Sequence, residues 1–172
     1  YGAEPEPMTD AELEGLGERF VAAARLAQEA GFAFVDVKCC HGYLLHETLG
    51  AHTREGVYGG SFENRSRFLL RIIDEVKSAC PGLGVVARVS IVDTHPFSAG
   101  EDELGEPIGW EEHVPYRWGF GVDPDDPRKT SLDEPLQLLG LLSERDVKLI
   151  NLSLGSPYYN PHLQRPAAYP PS

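Results

Sequence analysis

The chain has 172 residues, of which 41% are apolar and 24% are charged. This length is typical of about one domain and is sufficient to bury a hydrophobic core. The formal net charge of -12 would repel a phosphate backbone, so we expect no nucleic-acid partner. Because no apolar run approaches the roughly 20 residues that span a bilayer, we expect no membrane partner either. The three cysteines are interpreted as reduced thiols of a cytoplasmic protein.

The predicted elements alternate between helix and strand. Thr9-Asp10-Ala11-Glu12 has the spacing of a capping box, and apolar residues recur behind it at helical spacing as far as Gly31, a plausible stop. Residues 32–40 follow as a buried strand. Ser61 can cap a second helix that ends at Pro81-Gly82, before a strand over residues 83–92. A third helix is predicted over residues 133–145 and a third strand over residues 147–154.

This alternation is typical of parallel βα units, in which helices cover the sheet. Three parallel strands alone would leave unpaired sheet edges, and the chain opens without a strand before its first helix. We therefore expect residues 1–172 to be one incomplete domain, the middle portion of something larger. Residues 93–130, between the second strand and the third helix, are rich in proline, glycine and acidic residues. The aromatic residues of this long segment favour an ordered lid over a disordered loop.

Polar side chains share one face of each predicted strand. Alternation places Asp36 and Lys38 on the same face of the first strand, together with Phe34 and Cys40. For Asp36 the favoured interpretation is a structural ion pair with Lys38. For Lys38 a functional role is favoured, because an ammonium group that has no function is costly to bury. The second strand places Arg88 and Ser90 on one face, and the third Asn151 and Ser153. An arginine in mid-strand favours a role in binding an anion or a carbonyl group. For Asn151 and Ser153, a structural role as hydrogen-bonded polar groups of the core is at least as good an interpretation as a functional role.

Other motifs point to no metal and no dinucleotide fingerprint. His41, His46, Glu47 and His52 lie close in sequence but lack the His-Glu-x-x-His spacing, and the cysteines form no Cys-x-x-Cys pair. We therefore expect no metal site. Gly59 and Gly60 precede a helix without a Gly-x-Gly-x-x-Gly pattern, so we interpret them as a turn.

Three segments resemble the old yellow enzyme family of flavin-dependent oxidoreductases, which are (β/α)8 barrels. They are Ala30-Gly31-Phe32, His41-Gly42-Tyr43-Leu44-Leu45, and residues 58–68, which read Tyr-Gly-Gly-Ser-Phe-Glu-Asn-Arg-Ser-Arg-Phe. These segments look like the family's fourth βα unit, and Arg88-Val89-Ser90 looks like the end of its fifth strand. The likeness is firm over residues 9–90 and looser from residue 131 onward. It implies a partial TIM barrel with about three βα units, resembling strands 4 to 6.

The resemblance implies FMN as cofactor, NAD(P)H as reductant and a role for four residues. Tyr43 lies where the family places the proton donor to the double bond of an activated alkene. Lys38 and His41 occupy the pair of positions that binds the oxygen of a small-molecule substrate. Arg88 occupies the position that contacts the flavin near N1 and C2=O. The first member of the oxygen-binding pair is usually histidine, and a lysine there could also stabilise an oxyanion.

Two alternatives stay open at this point. Lys38 at a strand end inside a barrel also suits a Schiff-base, aldolase-type enzyme, and a truncated barrel could be non-catalytic. Barrels of this kind bind phosphate in the loops after strands 7 and 8, which this chain does not contain. We therefore expect that the chain alone holds half of the active site, does not bind the flavin tightly, and needs the remainder of the barrel.

Overall fold

The computed structural model describes residues 6–101, 104–158 and 160–163. Its helices and strands, in chain order, are α1 (Asp10–Glu29), β1 (Phe34–Cys39), α2 (Leu44–Leu49), α3 (Phe62–Ala79), β2 (Gly84–Ser90), β3 (Phe97–Ala99), β4 (Gly105–Pro107), α4 (Asp133–Glu144) and β5 (Ile150–Ser153). Short 3-10 turns lie at Trp110–His113 and Pro161–Leu163. Among the described residues, no helix combines the length and the apolar character needed to cross a bilayer.

The ends of the predicted helices follow the local capping signals. Thr9 caps α1: its side chain accepts a hydrogen bond from the Glu12 N–H, and the Glu12 carboxylate accepts one from the Thr9 N–H. Gly31 follows the end of α1 with a φ of 84°, a left-handed conformation that glycine adopts without strain. Ser61 caps α3 through its side chain, as predicted. Helices α1, α3 and α4 therefore begin and end close to their predicted positions.

Three strands form a parallel sheet in the order β1-β2-β5. Lys38 of β1 is opposite Arg88 of β2, and Arg88 is in turn opposite Asn151 of β5. Helices α1 and α3 pack on one face, where Val37, Ala87 and other apolar side chains build the core. The opposite face carries the polar positions of the strands and is partly exposed. The prediction of parallel βα units is confirmed, and the chain has an α/β fold.

Two local features differ from the sequence-based prediction. The short helix α2 was not predicted, since six residues are too few to show helical periodicity; it buries Leu45 and Leu49 in the core. Strand β5 is shorter than predicted and begins at Ile150 rather than at residue 147. The Val147 N–H donates to the Leu142 carbonyl and Asp146 has a φ of 58°, so these residues close α4 instead of extending the strand.

The segment over residues 93–130 contains regular structure in its described part. Strands β3 and β4 form an antiparallel hairpin. Phe120 is fully buried and stacks on Phe62 of α3 at a ring distance of 6.5 Å, which anchors the segment to the core. His95, His113, Tyr116 and Trp118 form a cluster of ring contacts. A lid role for this segment stays a prediction.

Candidate active site

The four residues implied by the resemblance lie at the carboxyl end of the sheet, where parallel α/β folds place their sites. Lys38 is on β1 and Arg88 is opposite it on β2. His41 and Tyr43 follow β1 in the turn that leads into α2. Lys38 Nζ lies 3.5 Å from the centroid of the Tyr43 ring. The structure thus brings an ammonium, an imidazole, a phenol and a guanidinium to one edge of the sheet.

The backbone at His41 is bound to the ends of both other strands. His41 and Gly42 both have positive φ values, 64° and 68°, which turn the chain sharply after β1. The His41 N–H donates to Ser90 Oγ at 3.3 Å, and its ring Nε2 lies 2.8 Å from Ser153 Oγ. The His41 carbonyl accepts a bond from Ser156 Oγ at 3.4 Å. Since these contacts span three strands, the imidazole is held in position before any ligand arrives.

Three effects lower the pKa of the His41 imidazole. Burial lowers its pKa, and the positive charges of Lys38 and Arg88 lower it further. The ring is therefore neutral at neutral pH. Because Ser153 binds Nε2, a substrate would bind the other ring nitrogen, Nδ1.

Lys38 and Tyr43 make a cation–π contact. An ammonium above an aromatic face is attracted by the quadrupole of the ring, an interaction worth about 0.5–2 kcal/mol. The Tyr43 hydroxyl lies 2.5 Å from the hydroxyl of Tyr158, which comes from the segment after β5. Tyr43 is about half exposed, so its phenol is accessible from the polar face.

Asp36 pairs with Arg88 rather than with Lys38. Arg88 Nη2 donates to Asp36 Oδ2 at 2.9 Å, and both side chains are partly exposed. The expected pair of Asp36 and Lys38 is therefore wrong, because the register of β1 and β2 places the guanidinium within reach of the carboxylate. Arg88 Nε is buried and has no hydrogen-bond partner among the described residues. This donor could bind an acceptor of a ligand on the polar face.

Several residues of the site were not identified from sequence. His46 on α2 is buried and accepts a hydrogen bond at Nδ1 from the Gly42 N–H at 2.9 Å, which supports the turn between His41 and Tyr43. Tyr158 and Ser156 reach the site from the end of β5. Sequence reasoning weighed His46 only as a metal ligand and offered no signal for Tyr158 and Ser156, because their partners are distant along the chain or are backbone groups.

The Tyr-Gly-Gly-Ser to Asn-Arg stretch has a structural explanation. A Cβ at Gly59 would collide with the Arg54 carbonyl oxygen, and Gly60 has a φ of 82°, as a turn requires. Arg65 is almost fully buried and donates to the Gly60 and Leu49 carbonyls and to Glu134 on α4. The stretch therefore joins α2, α3 and α4 behind the site, and the interpretation of Gly59 and Gly60 as a turn before α3 is confirmed.

The cysteine thiols of this chain are all reduced. Cys39, Cys40 and Cys80 are free and buried, and burial raises the pKa of the Cys39 and Cys40 thiols. Within the ranges that the structure describes, no three His, Cys, Asp or Glu side chains are grouped so as to hold a metal ion.

Comparisons with a family model and with individual proteins indicate the same family for this chain. Residues 2–110 match the NADH:flavin oxidoreductase / NADH oxidase family. An NADH:flavin oxidoreductase of Gibberella zeae is 30% identical over 154 residues, covering 88% of this chain and 32% of that protein. NADPH dehydrogenases of Geobacillus sp. and Bacillus subtilis are 39% and 43% identical, over 65% and 53% of this chain and 31% and 27% of those proteins. The chain belongs to the NADH:flavin oxidoreductase / NADH oxidase family, so the family prediction is confirmed.

The fold is shared with solved structures of low sequence identity. A complex of 2-naphthoyl-CoA reductase with 2-naphthoyl-CoA superposes with a TM-score of 0.60 at 20% identity, over 88% of this chain and 19% of that one. Histamine dehydrogenase from Rhizobium sp. 4-9 gives the same TM-score at 23% identity, over 88% of this chain and 18% of that one. The chain spans about a third of the length of the curated relatives reported above.

Proposed function

We propose that this chain is part of an FMN-dependent oxidoreductase that uses NAD(P)H to reduce activated alkenes or related electrophiles. The observation that carries the proposal is the convergence of Lys38, His41 and Tyr43 at the carboxyl end of the sheet, beside Arg88 on the next strand. Membership of the NADH:flavin oxidoreductase family supports a flavin and a nicotinamide reductant.

The residues of the polar face fit a flavin. The buried Arg88 Nε lacks a partner among the described residues and can donate to an acceptor of the isoalloxazine edge near N1 and C2=O. The Asp36 carboxylate holds the guanidinium in place from the other side. When bound, FMN would supply the hydride that the side chains of this chain cannot supply.

The remaining side chains suit the reaction of the substrate. Lys38 and the neutral His41 would bind the substrate oxygen and stabilise negative charge that develops on it. Tyr43 would donate its hydroxyl proton to the carbon next to the site of reduction. Because Ser153 and Ser90 hold His41, and Lys38 lies against the Tyr43 ring, these groups need little reorganisation during the reaction.

We further propose that the chain is a portion of a (β/α)8 barrel and that the remainder of the barrel completes the site. Phe34 on β1 and Leu152 on β5 are more than half exposed at the two edge strands of the sheet, where neighbouring strands would cover them. The greater length of the relatives agrees with this arrangement. The three free cysteines support a cytoplasmic location.

The absorption spectrum of the full polypeptide that contains this chain tests the proposal. We expect a yellow protein that releases FMN on denaturation and whose flavin is bleached by NADH or NADPH without oxygen. A colourless protein that fails to bind added FMN would refute the proposal. Trapping of a carbonyl compound on Lys38 by borohydride in such a protein would indicate the Schiff-base alternative.

A further inference from the structure

Tyr158 is the residue at the site that the proposed function leaves without a role. Its hydroxyl lies 2.5 Å from the Tyr43 hydroxyl, and the two rings are tilted at 55° with centroids 6.0 Å apart. Tyr158 is 70% exposed and Tyr43 is 46% exposed. The pair therefore joins the polar face of the sheet to solvent.

The segment that carries Tyr158 is fixed to the sheet. The Gly155 N–H donates to the Val92 carbonyl at 2.7 Å, beyond the end of β2. The Tyr158 N–H donates to Ser156 Oγ at 3.2 Å, and the same hydroxyl donates to the His41 carbonyl. Asn160 is fully buried, and its side-chain amide donates to both Thr94 and His95. Tyr158 is thus positioned by the Ser156 hydroxyl, which also binds the His41 carbonyl.

A proton donor must recover its proton before the next turnover. When Tyr43 gives its proton to the substrate carbon, the Tyr43 O–H bond breaks, a C–H bond forms, and a phenolate remains on Tyr43. Tyr158 is within hydrogen-bond distance of that oxygen and can donate its own proton, which re-forms the Tyr43 O–H bond. Water then gives a proton to the exposed Tyr158 oxygen, and the hydroxide that remains leaves to bulk solvent. The sequence is balanced and needs no further reagent.

We infer that Tyr158 is a positioning residue that orients the Tyr43 hydroxyl and relays protons to it from solvent. The inference rests on the proposed function, since it assigns Tyr158 a part in the reaction proposed for Tyr43. It is carried by the hydroxyl pair and by the fixed segment around Ser156 and Asn160.

The test compares Tyr158→Phe, Tyr43→Phe and the double variant in the flavin-loaded full polypeptide. The enzyme is first reduced, and its oxidation by cyclohexenone is then followed over one turnover, and over successive turnovers with NADPH in excess, in H2O and D2O. We expect Tyr158→Phe to slow this step roughly tenfold or more, because a hydrogen bond to a charged oxygen is lost. Reduction by NADPH should be unchanged. Tyr58→Phe, which removes a buried phenol hydroxyl that accepts a hydrogen bond from Arg71 on α3, is the matched control and should behave like the parent.

The double variant separates a relay from a general structural defect. Because Tyr158 acts through Tyr43, the double variant should be no slower than Tyr43→Phe alone, and the solvent isotope effect should be the same in both. Additive losses would overturn the inference. Parental rates in Tyr158→Phe together with slow turnover in Tyr43→Phe would overturn it too, while leaving the proposed function intact. Parental rates in Tyr43→Phe would remove the proposed acid itself.

An NMR titration tests the contact between the two hydroxyls without measuring activity. The hydrogen bond with Tyr43 raises the pKa of Tyr158. In protein labelled with carbon isotope at tyrosine Cζ, the Tyr158 NMR signal is assigned by its loss in Tyr158→Phe. We expect this signal to titrate at lower pH in Tyr43→Phe than in the parent. An identical titration midpoint in both proteins would show that the two hydroxyls do not interact.

Discussion

Lowering the pH from about 7 to about 5 should destabilise the protein through His46. Its Nδ1 accepts a hydrogen bond from the Gly42 N–H, so the neutral ring carries its proton on Nε2. Protonation would place a second N–H against the Gly42 N–H inside the core. Burial, and next the charge of His41, lower the pKa of His46 to about 4. Asp93 Oδ2, 4.0 Å from Nε2, favours the charged form, but burial and the Gly42 contact outweigh it.

The magnitude follows from proton linkage. In the unfolded chain His46 binds a proton near its usual pKa of 6.5, whereas the folded protein binds one only near 4. The unfolded state therefore binds more protons in this window, and stability falls as the pH falls. A difference of one pKa unit corresponds to ~1.4 kcal/mol. The free energy of unfolding therefore falls by roughly 2 kcal/mol between about pH 7 and pH 5.

Urea unfolding of the parent and of His46→Asn at both pH values measures this loss. The Asn Oδ1 can accept the Gly42 bond but does not titrate, so the variant should lose roughly 2 kcal/mol less than the parent between the two pH values. Replacing Thr48, a buried residue of α2 that does not titrate, by Ser is the matched control and should keep the pH dependence of the parent. Equal pH dependence in His46→Asn and the parent would refute the role assigned to burial of this imidazole.

Four further outcomes are expected. Tyr43→Phe should slow enone reduction by about 100-fold or more while NAD(P)H still reduces the flavin, as stopped-flow absorbance would show; equal rates would remove Tyr43 as the acid. Lys38→Met should weaken the binding of phenols, measured by flavin absorbance titration, and unchanged affinity would argue against an oxygen-binding role. Replacing Arg88 by Ala should weaken flavin retention or shift its redox potential; no change in either would leave Arg88 a core residue. Replacing Glu134 by Gln should cost about 1–2 kcal/mol in urea unfolding, because the buried Arg65 loses the partly exposed carboxylate that pairs with its charge; a loss under about 0.5 kcal/mol would contradict this account.

Local sequence signals were sufficient for the elements around the site. Capping by Thr9 and Ser61, the left-handed Gly31 and the β-branched strands act between near neighbours, so each could be predicted from a short window. The absence of a Gly-x-Gly-x-x-Gly pattern also led to the correct interpretation of Gly59 and Gly60 as a turn, where Arg54 leaves no room for a side chain at Gly59.

The sequence by itself determined the alternation of helices and strands, the polar face and the family of this chain. Only the tertiary structure decided which polar groups meet. Asp36 pairs with Arg88, His41 with Ser153, and Tyr43 with a partner 115 residues away. Strand register and the path of the segment after β5 set these distances. Both depend on packing across the whole sheet, which no local window of sequence encodes.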